Sequence, residues 1–177
     1  MMDAKKLLAN CIDERFEDGV LRVDRRAYTN SEFLDWEFEH IFEGNWVYLC
    51  HESQVSRPRD FLTLIVGRQP VLVTRNNQGE LKAFINSCAH RGALVARETK
   101  GSRAAFTCLF HGWTYDLDGR LVNVPLEEGA GYPCQFNKSE LGLTPVPRVE
   151  SYRGFVFVSF NGDVQPVDQW LGDSTTF

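Results

Sequence analysis

The sequence predicts a mainly β chain, an antiparallel sandwich with one amphipathic helix near its start. Three observations predict it. Short runs rich in β-branched and aromatic residues recur from residue 46 onward, separated by turn signals. A helical period appears clearly once, ahead of those runs. Two compact loops carrying both cysteine and histidine fall where strands should end, the usual place for function on a rigid scaffold. The 177 residues are enough chain for one domain with a buried core.

Residues 1–44 form an arm and a helix. The first thirty residues are polar and charged, with Arg22, Arg25 and Arg26 close together, and read as a solvated arm that packs on something larger. Thr29 and Glu32 form a capping box. Behind it Phe33, Leu34, Phe38, Ile41 and Phe42 recur at helical spacing and Gly44 supplies a stop, which predicts a helix over 31–43.

Residues 45–163 are the β domain. Trp46-Val47-Tyr48-Leu49, Phe61 to Val66, Val71 to Thr74 and Leu81 to Ile85 read as strands, with Asn76-Asn77-Gln78-Gly79 as a hairpin turn. Ala104 to Thr107 leads into the second Cys/His loop. Asp118-Gly119 turns the chain back after Trp113 to Asp116, and Gly154 to Phe160 is the last clear strand. Residues 123–150, with Pro125, Pro133, Pro145 and Pro147, read as an irregular covering segment. Residues 164–177 form a C-terminal tail.

Composition narrows the function. The net charge of −5 argues against a nucleic-acid partner, because phosphate recognition wants a basic face. No apolar run approaches the length of a membrane span, and the first ten residues lack the apolar core of a signal peptide. The expected location is the cytoplasm, with no membrane partner. Of five cysteines, Cys11, Cys50 and Cys134 form a poor disulfide framework and read as free thiols, with Cys50 in the core.

The chemistry lies in Cys88-Ala89-His90 and Cys108-Leu109-Phe110-His111. Two thiolates and two imidazoles arrive as a pair of short loops. That is the ligand set of a Rieske [2Fe–2S] cluster, in which two Cys hold one iron and two His the other. The same residue types bind zinc, but zinc half-sites usually repeat one ligand type, Cys-x₂₋₄-Cys and then His-x₃₋₅-His. Here each half-site mixes sulfur and nitrogen, and the first has a one-residue spacer. A zinc-stabilised interaction module therefore stands as the non-redox alternative.

With these loops and their neighbours on the page, the chain resembles the N-terminal part of the large (α) subunit of aromatic-ring-hydroxylating dioxygenases, in particular the benzoate and anthranilate type. The resemblance is carried by Cys88 to Ala93 and Cys108 to Tyr115, and by Ile41 to Trp46, His51 to Gln54, Gly67 to Pro70 and Ser151 to Gly154. It runs from about residue 20 to the end. Leu109 departs from the family pattern, which has Pro there.

The resemblance implies a Rieske-type sandwich with the cluster held by Cys88, His90, Cys108 and His111 between two hairpin loops. It implies an electron donor, either a reductase or a ferredoxin. It also implies an oxygenase catalytic domain containing a mononuclear Fe(II), and a small β subunit as a further partner. That second iron needs two His and a carboxylate. Only His40 and His51 remain, and both read better as surface or turn residues. The chain is thus expected to carry the Rieske half alone, ending near where the catalytic domain begins, and to move electrons without hydroxylating by itself. A free-standing Rieske ferredoxin is the alternative within redox chemistry, though the helix and the long tail exceed what a minimal carrier needs.

Four residues are expected to support the cluster. Gly92 and Gly112 follow the two His and permit tight turns. Trp113 stands where high-potential Rieske proteins place a Ser hydroxyl, and Tyr115 keeps a phenol able to donate one bond. Hydrogen bonds to sulfur raise the potential. A centre in the lower part of the roughly −150 to +300 mV Rieske range is therefore expected.

Overall fold

The computed structural model describes residues 4–129, 131–133 and 135–176. Cys134, one of the expected free thiols, lies outside the described residues. The arm is more ordered than a solvated tail. It holds a short helix α1 (Ala4–Ala9) and a hairpin of β1 (Ile12–Arg15) and β2 (Val20–Val23), closed by a turn ending at Gly19 with φ +67°. A four-residue helix α2 (Arg26–Thr29) follows.

The expected helix forms as α3 (Ser31–Glu37) and then changes to a single π turn over Phe38–Phe42, closed by Glu43 N–H donating to the Phe38 carbonyl at 2.8 Å. The extra residue in that turn rotates the apolar stripe. Phe33 is buried, whereas Leu34, Ile41 and Phe42 stay exposed. The cap also differs from the expected Thr29. Asn30 Oδ1 accepts from the Glu32 N–H at 2.8 Å, because Thr29 already closes α2 by donating its hydroxyl to the Arg25 carbonyl.

The β domain has three layers. One sheet runs β11-β12-β3, from β3 (Val47–His51), β11 (Arg148–Tyr152) and β12 (Phe155–Ser159). A central sheet runs β6-β5-β4-β7, from β4 (Asp60–Val66), β5 (Gln69–Arg75), β6 (Leu81–Ile85) and β7 (Lys100–Ser102). A small sheet runs β10-β9-β8, from β8 (Phe106–Thr107), β9 (Thr114–Tyr115) and β10 (Leu121–Asn123). All pairings are antiparallel.

Strand β5 explains the layering. Val71, Leu72, Val73 and Thr74 are all buried, a run without alternation because both faces are covered. Leu62, Val71, Val73 and Ala83 face the first sheet, where they meet Leu49, Cys50, Val156 and Val158. Phe61, Leu72 and Phe84 face the other way, onto Cys88, Cys108, Trp113, Tyr115 and Leu121. The covering segment adds Leu143, and partly Tyr132, Phe136 and Leu141, to this second core. Cys50 is in the first core, and burial pushes its thiol up to about 11. Cys11 is also a buried free thiol, despite its polar surroundings. No helix among the described residues is long and apolar enough to cross a membrane.

Candidate metal centre

The two Cys/His loops are built alike. In the first, Cys88 N–H donates to the Ala93 carbonyl and Gly92 N–H donates back to the Cys88 carbonyl, both at 2.8 Å. In the second, Cys108 N–H donates to Trp113 at 2.8 Å and Gly112 N–H to Cys108 at 2.9 Å. Each loop closes on a glycine in the left-handed region, Gly92 at φ +73° and Gly112 at φ +71°, where other residues are strained. Gly112 has a second reason: a Cβ there would lie 2.6 Å from Pro125 Cγ of the covering segment.

The loops face each other. His90 Nδ1 and His111 Nδ1 stand 3.1 Å apart, with the rings edge to face at 75°. Two imidazole nitrogens sharing one tetrahedral metal at about 2.1 Å would be separated by roughly 3.4 Å. Cys88 and Cys108 are buried, His90 is half-buried and His111 is exposed. Among the described residues no three His, Cys, Asp or Glu side chains converge as a group for a single metal ion. One zinc needs four donors at one point, whereas a diiron cluster takes the sulfurs and the nitrogens on separate metals. The donor set thus fits a [2Fe–2S] group better than one zinc.

Around the ligands, Tyr115 is fully buried with its hydroxyl 3.1 Å from Cys88 Sγ, and it accepts from the Ala89 N–H at 3.0 Å. Burial and then the Cys88 contact push its phenol above the usual tyrosine range. Desolvation, then the positive charges of His111 and Arg91, hold His90 below the usual imidazole range. Trp113 lies flat on His90, with centroids 4.8 Å apart and planes at 13°. Its Nε1 is buried without a partner among the described residues. Outside, Arg91, Leu94, Arg97, Leu109 and Phe110 line an open cavity of about 630 Å³ beside His111.

All eight site residues expected from the sequence are brought together here. One that sequence reasoning missed is Asn86. It is buried at the base of the first loop, and its Oδ1 accepts from Val95 and Ala96 N–H at 3.2 and 3.0 Å while its Nδ2 donates to the Ala96 carbonyl at 2.7 Å. It clamps both ends of the loop. An amide at the end of an apolar strand was the available signal. His40 and His51 lie elsewhere: His40 Nδ1 contacts the Trp36 carbonyl, and His51 caps the short helix Glu52–Val55.

Comparison with known proteins places this geometry. Residues 45–150 match the family model of the Rieske [2Fe-2S] domain. Toluate 1,2-dioxygenase subunit alpha of Pseudomonas putida is 46% identical over 164 residues, covering 92% of this chain and 36% of that protein. The anthranilate 1,2-dioxygenase large subunit of Acinetobacter baylyi is 46% identical over 177 residues, covering 98% and 36%. The structure of naphthalene 1,2-dioxygenase from Rhodococcus sp. bound to indole superposes with a TM-score of 0.81 at 35% identity, covering 86% of this chain and 34% of that one. The chain spans about a third of the length of the curated relatives it matches. The segment matched, residues 45–150, contains both like-built loops with their paired imidazoles and two buried cysteines, and the chain belongs to the Rieske [2Fe-2S] domain family.

Proposed function

We propose that this chain is the electron-transfer module of the large subunit of an aromatic-ring dioxygenase. Cys88 and Cys108 hold one iron of the cluster, and His90 and His111 hold the other. The observation that carries the reading is the 3.1 Å approach of the two imidazole nitrogens from loops with the same backbone closure. When bound, the cluster supplies a centre that takes up and gives up single electrons.

The chain's own residues set the conditions. Buried Cys88 and Cys108 keep the sulfur side away from water, which excludes competing reactions there. Exposed His111 makes the imidazole side the one that a partner protein meets. Tyr115 holds a hydrogen bond on Cys88 Sγ. Trp113 brings no hydroxyl to the place where high-potential centres have one, which supports a potential low in the Rieske range. Gly92, Gly112 and Asn86 fix the loops.

The relatives named for toluate, 2-halobenzoate and anthranilate all act on aromatic acids. The proposed destination of the electrons is therefore a mononuclear iron in an oxygenase catalytic domain that dihydroxylates such an acid, with a reductase or ferredoxin as donor and a small β subunit in the assembly. Within the chain, 45–163 is the cluster domain, 1–44 its N-terminal arm and 164–177 the segment leading toward the catalytic domain. Iron, acid-labile sulfide and zinc analysis of the pure chain, with an EPR spectrum after reduction, tests the reading. Equal iron and sulfide with a Rieske-type signal, both lost in His90→Ala and His111→Ala, is the expected result. One tightly held zinc, or a signal that survives either substitution, overturns it.

A further inference from the structure

Metal-bound imidazoles usually have their second ring nitrogen tied to a carboxylate or carbonyl, and that bond fixes the ring's rotation. The contacts of the His90 ring within the described residues are of another kind. Among the described residues its one ring-nitrogen contact is Nδ1 with His111 Nδ1. Its ring is instead covered by the indole of Trp113, nearly parallel at 13° and 4.8 Å between centroids. The indole is itself held. Its backbone carbonyl closes the second loop by accepting from Cys108 N–H, and Phe136 of the covering segment meets it edge-on at 6.0 Å, with Tyr132 behind Phe136 at 4.5 Å. Trp113 thus belongs to the second loop but lies against the ligand of the first.

We propose that Trp113 is a positioning residue for His90, a flat plate backed by Phe136 that fixes the rotation of the imidazole and braces one loop against the other. The inference rests on the reading of His90 as a cluster ligand. It goes further by assigning Trp113 a part in orienting that ligand through stacking within the chain.

The test uses the whole 177-residue chain. Parent, Trp113→Phe and Trp113→Leu are compared by iron-to-sulfide ratio, by the width of the EPR features after reduction, and by histidine ring-proton NMR of the iron-free protein. The expected result has three parts. In the iron-free parent the His90 ring protons lie upfield of those of His111, because the indole covers them. Trp113→Phe keeps that upfield position and the parent EPR widths. Trp113→Leu loses the upfield position and broadens the EPR features at an unchanged iron-to-sulfide ratio, as a ring free to adopt several rotations would. A parent-like spectrum from Trp113→Leu, or a Trp113→Phe spectrum as broad as that of Trp113→Leu, overturns the proposal. Where Trp113→Leu does not load iron, the iron-free NMR of parent and Trp113→Phe decides, and His90 protons without an upfield position overturn it. A parent chain without iron and sulfide overturns the ligand reading itself, and that result is seen before any variant is made.

Discussion

Removing one oxygen atom, in Tyr115→Phe, tests how the buried side of the centre sets its potential. A thiol that ligates a metal is deprotonated, so Cys88 Sγ can only accept, and the phenol must donate to it. The phenol oxygen in turn accepts from the Ala89 N–H, which makes a directed chain of two bonds ending on sulfur at 3.1 Å. Burial keeps the phenol protonated well above neutral pH, so the donor persists throughout the working range. A hydrogen bond to a charged acceptor contributes about 1.5–3 kcal/mol, but only the part that differs between the oxidised and reduced states moves the potential. Taking that part as about 0.5–1 kcal/mol, and 59 mV for each 1.4 kcal/mol in a one-electron couple, gives about 20–40 mV. The bond favours the more negative, reduced state, so its loss lowers the midpoint. Stability falls by only about 1 kcal/mol, or about 2–4 °C in Tm, because Ala89 is exposed and water can replace its acceptor. A redox titration followed by visible circular dichroism reads the midpoint directly. An unchanged or raised midpoint in fully loaded Tyr115→Phe protein would refute the reasoning.

Four further outcomes follow from the same structure. Asn86→Leu strands the Val95 and Ala96 amides, which costs about 2–3 kcal/mol and about 5–10 °C in Tm, read by thermal unfolding, and speeds cluster loss to a chelator. Gly92→Ala costs about 1–2 kcal/mol for the left-handed backbone alone. Gly112→Ala costs more in denaturant titration, because its Cβ also meets Pro125 at 2.6 Å; equal losses at the two glycines would contradict the packing described. The Glu43 carboxyl is held below its ordinary value of 4.5, chiefly by its hydrogen bond to Arg68. Its contribution is therefore complete above that value and is lost as pH falls through the lower folded-state value, so Glu43→Gln should cost at most about 1 kcal/mol at pH 7 and nothing once both states are protonated.

How much of this was legible in the sequence depended on where each segment's pattern came from. Val71-Leu72-Val73-Thr74 read as a strand because its burial is continuous, and a short apolar run between turn signals carries that message. The ligand loops were legible because metal chemistry restricts both residue type and spacing. Strand β11 was not read as a strand, since Arg148, Glu150 and Ser151 break its apolar pattern. It lies at a sheet edge, where one side meets solvent and Arg148 can pair with Glu150. The β1–β2 hairpin was hidden for a similar reason: every residue of β1 is exposed, so no buried face imposes alternation. Asn86 escaped because its role depends on amides ten residues further on, a distance that no local pattern encodes.

The two loops share one backbone closure but place their histidines differently, two residues after Cys88 and three after Cys108. If the spacers were equal, a pseudo-symmetric pair would present two equivalent imidazoles. The single-residue difference turns the side chain around the loop, so the rings meet at 75° rather than in parallel. It also separates their surroundings. His90 is half-buried against Trp113, while His111 remains at the rim with Leu109 and Phe110, which are 72% and 77% exposed. Large apolar side chains exposed together beside a ligand mark a surface suited to contact. The unequal spacing thus divides the work of the two ligands. The first lies against its own fold, and the second stands exposed at the rim. Substitutions at Trp113 should therefore be read in the centre's own spectrum, and those at Leu109 and Phe110 in the rate at which electrons reach or leave it.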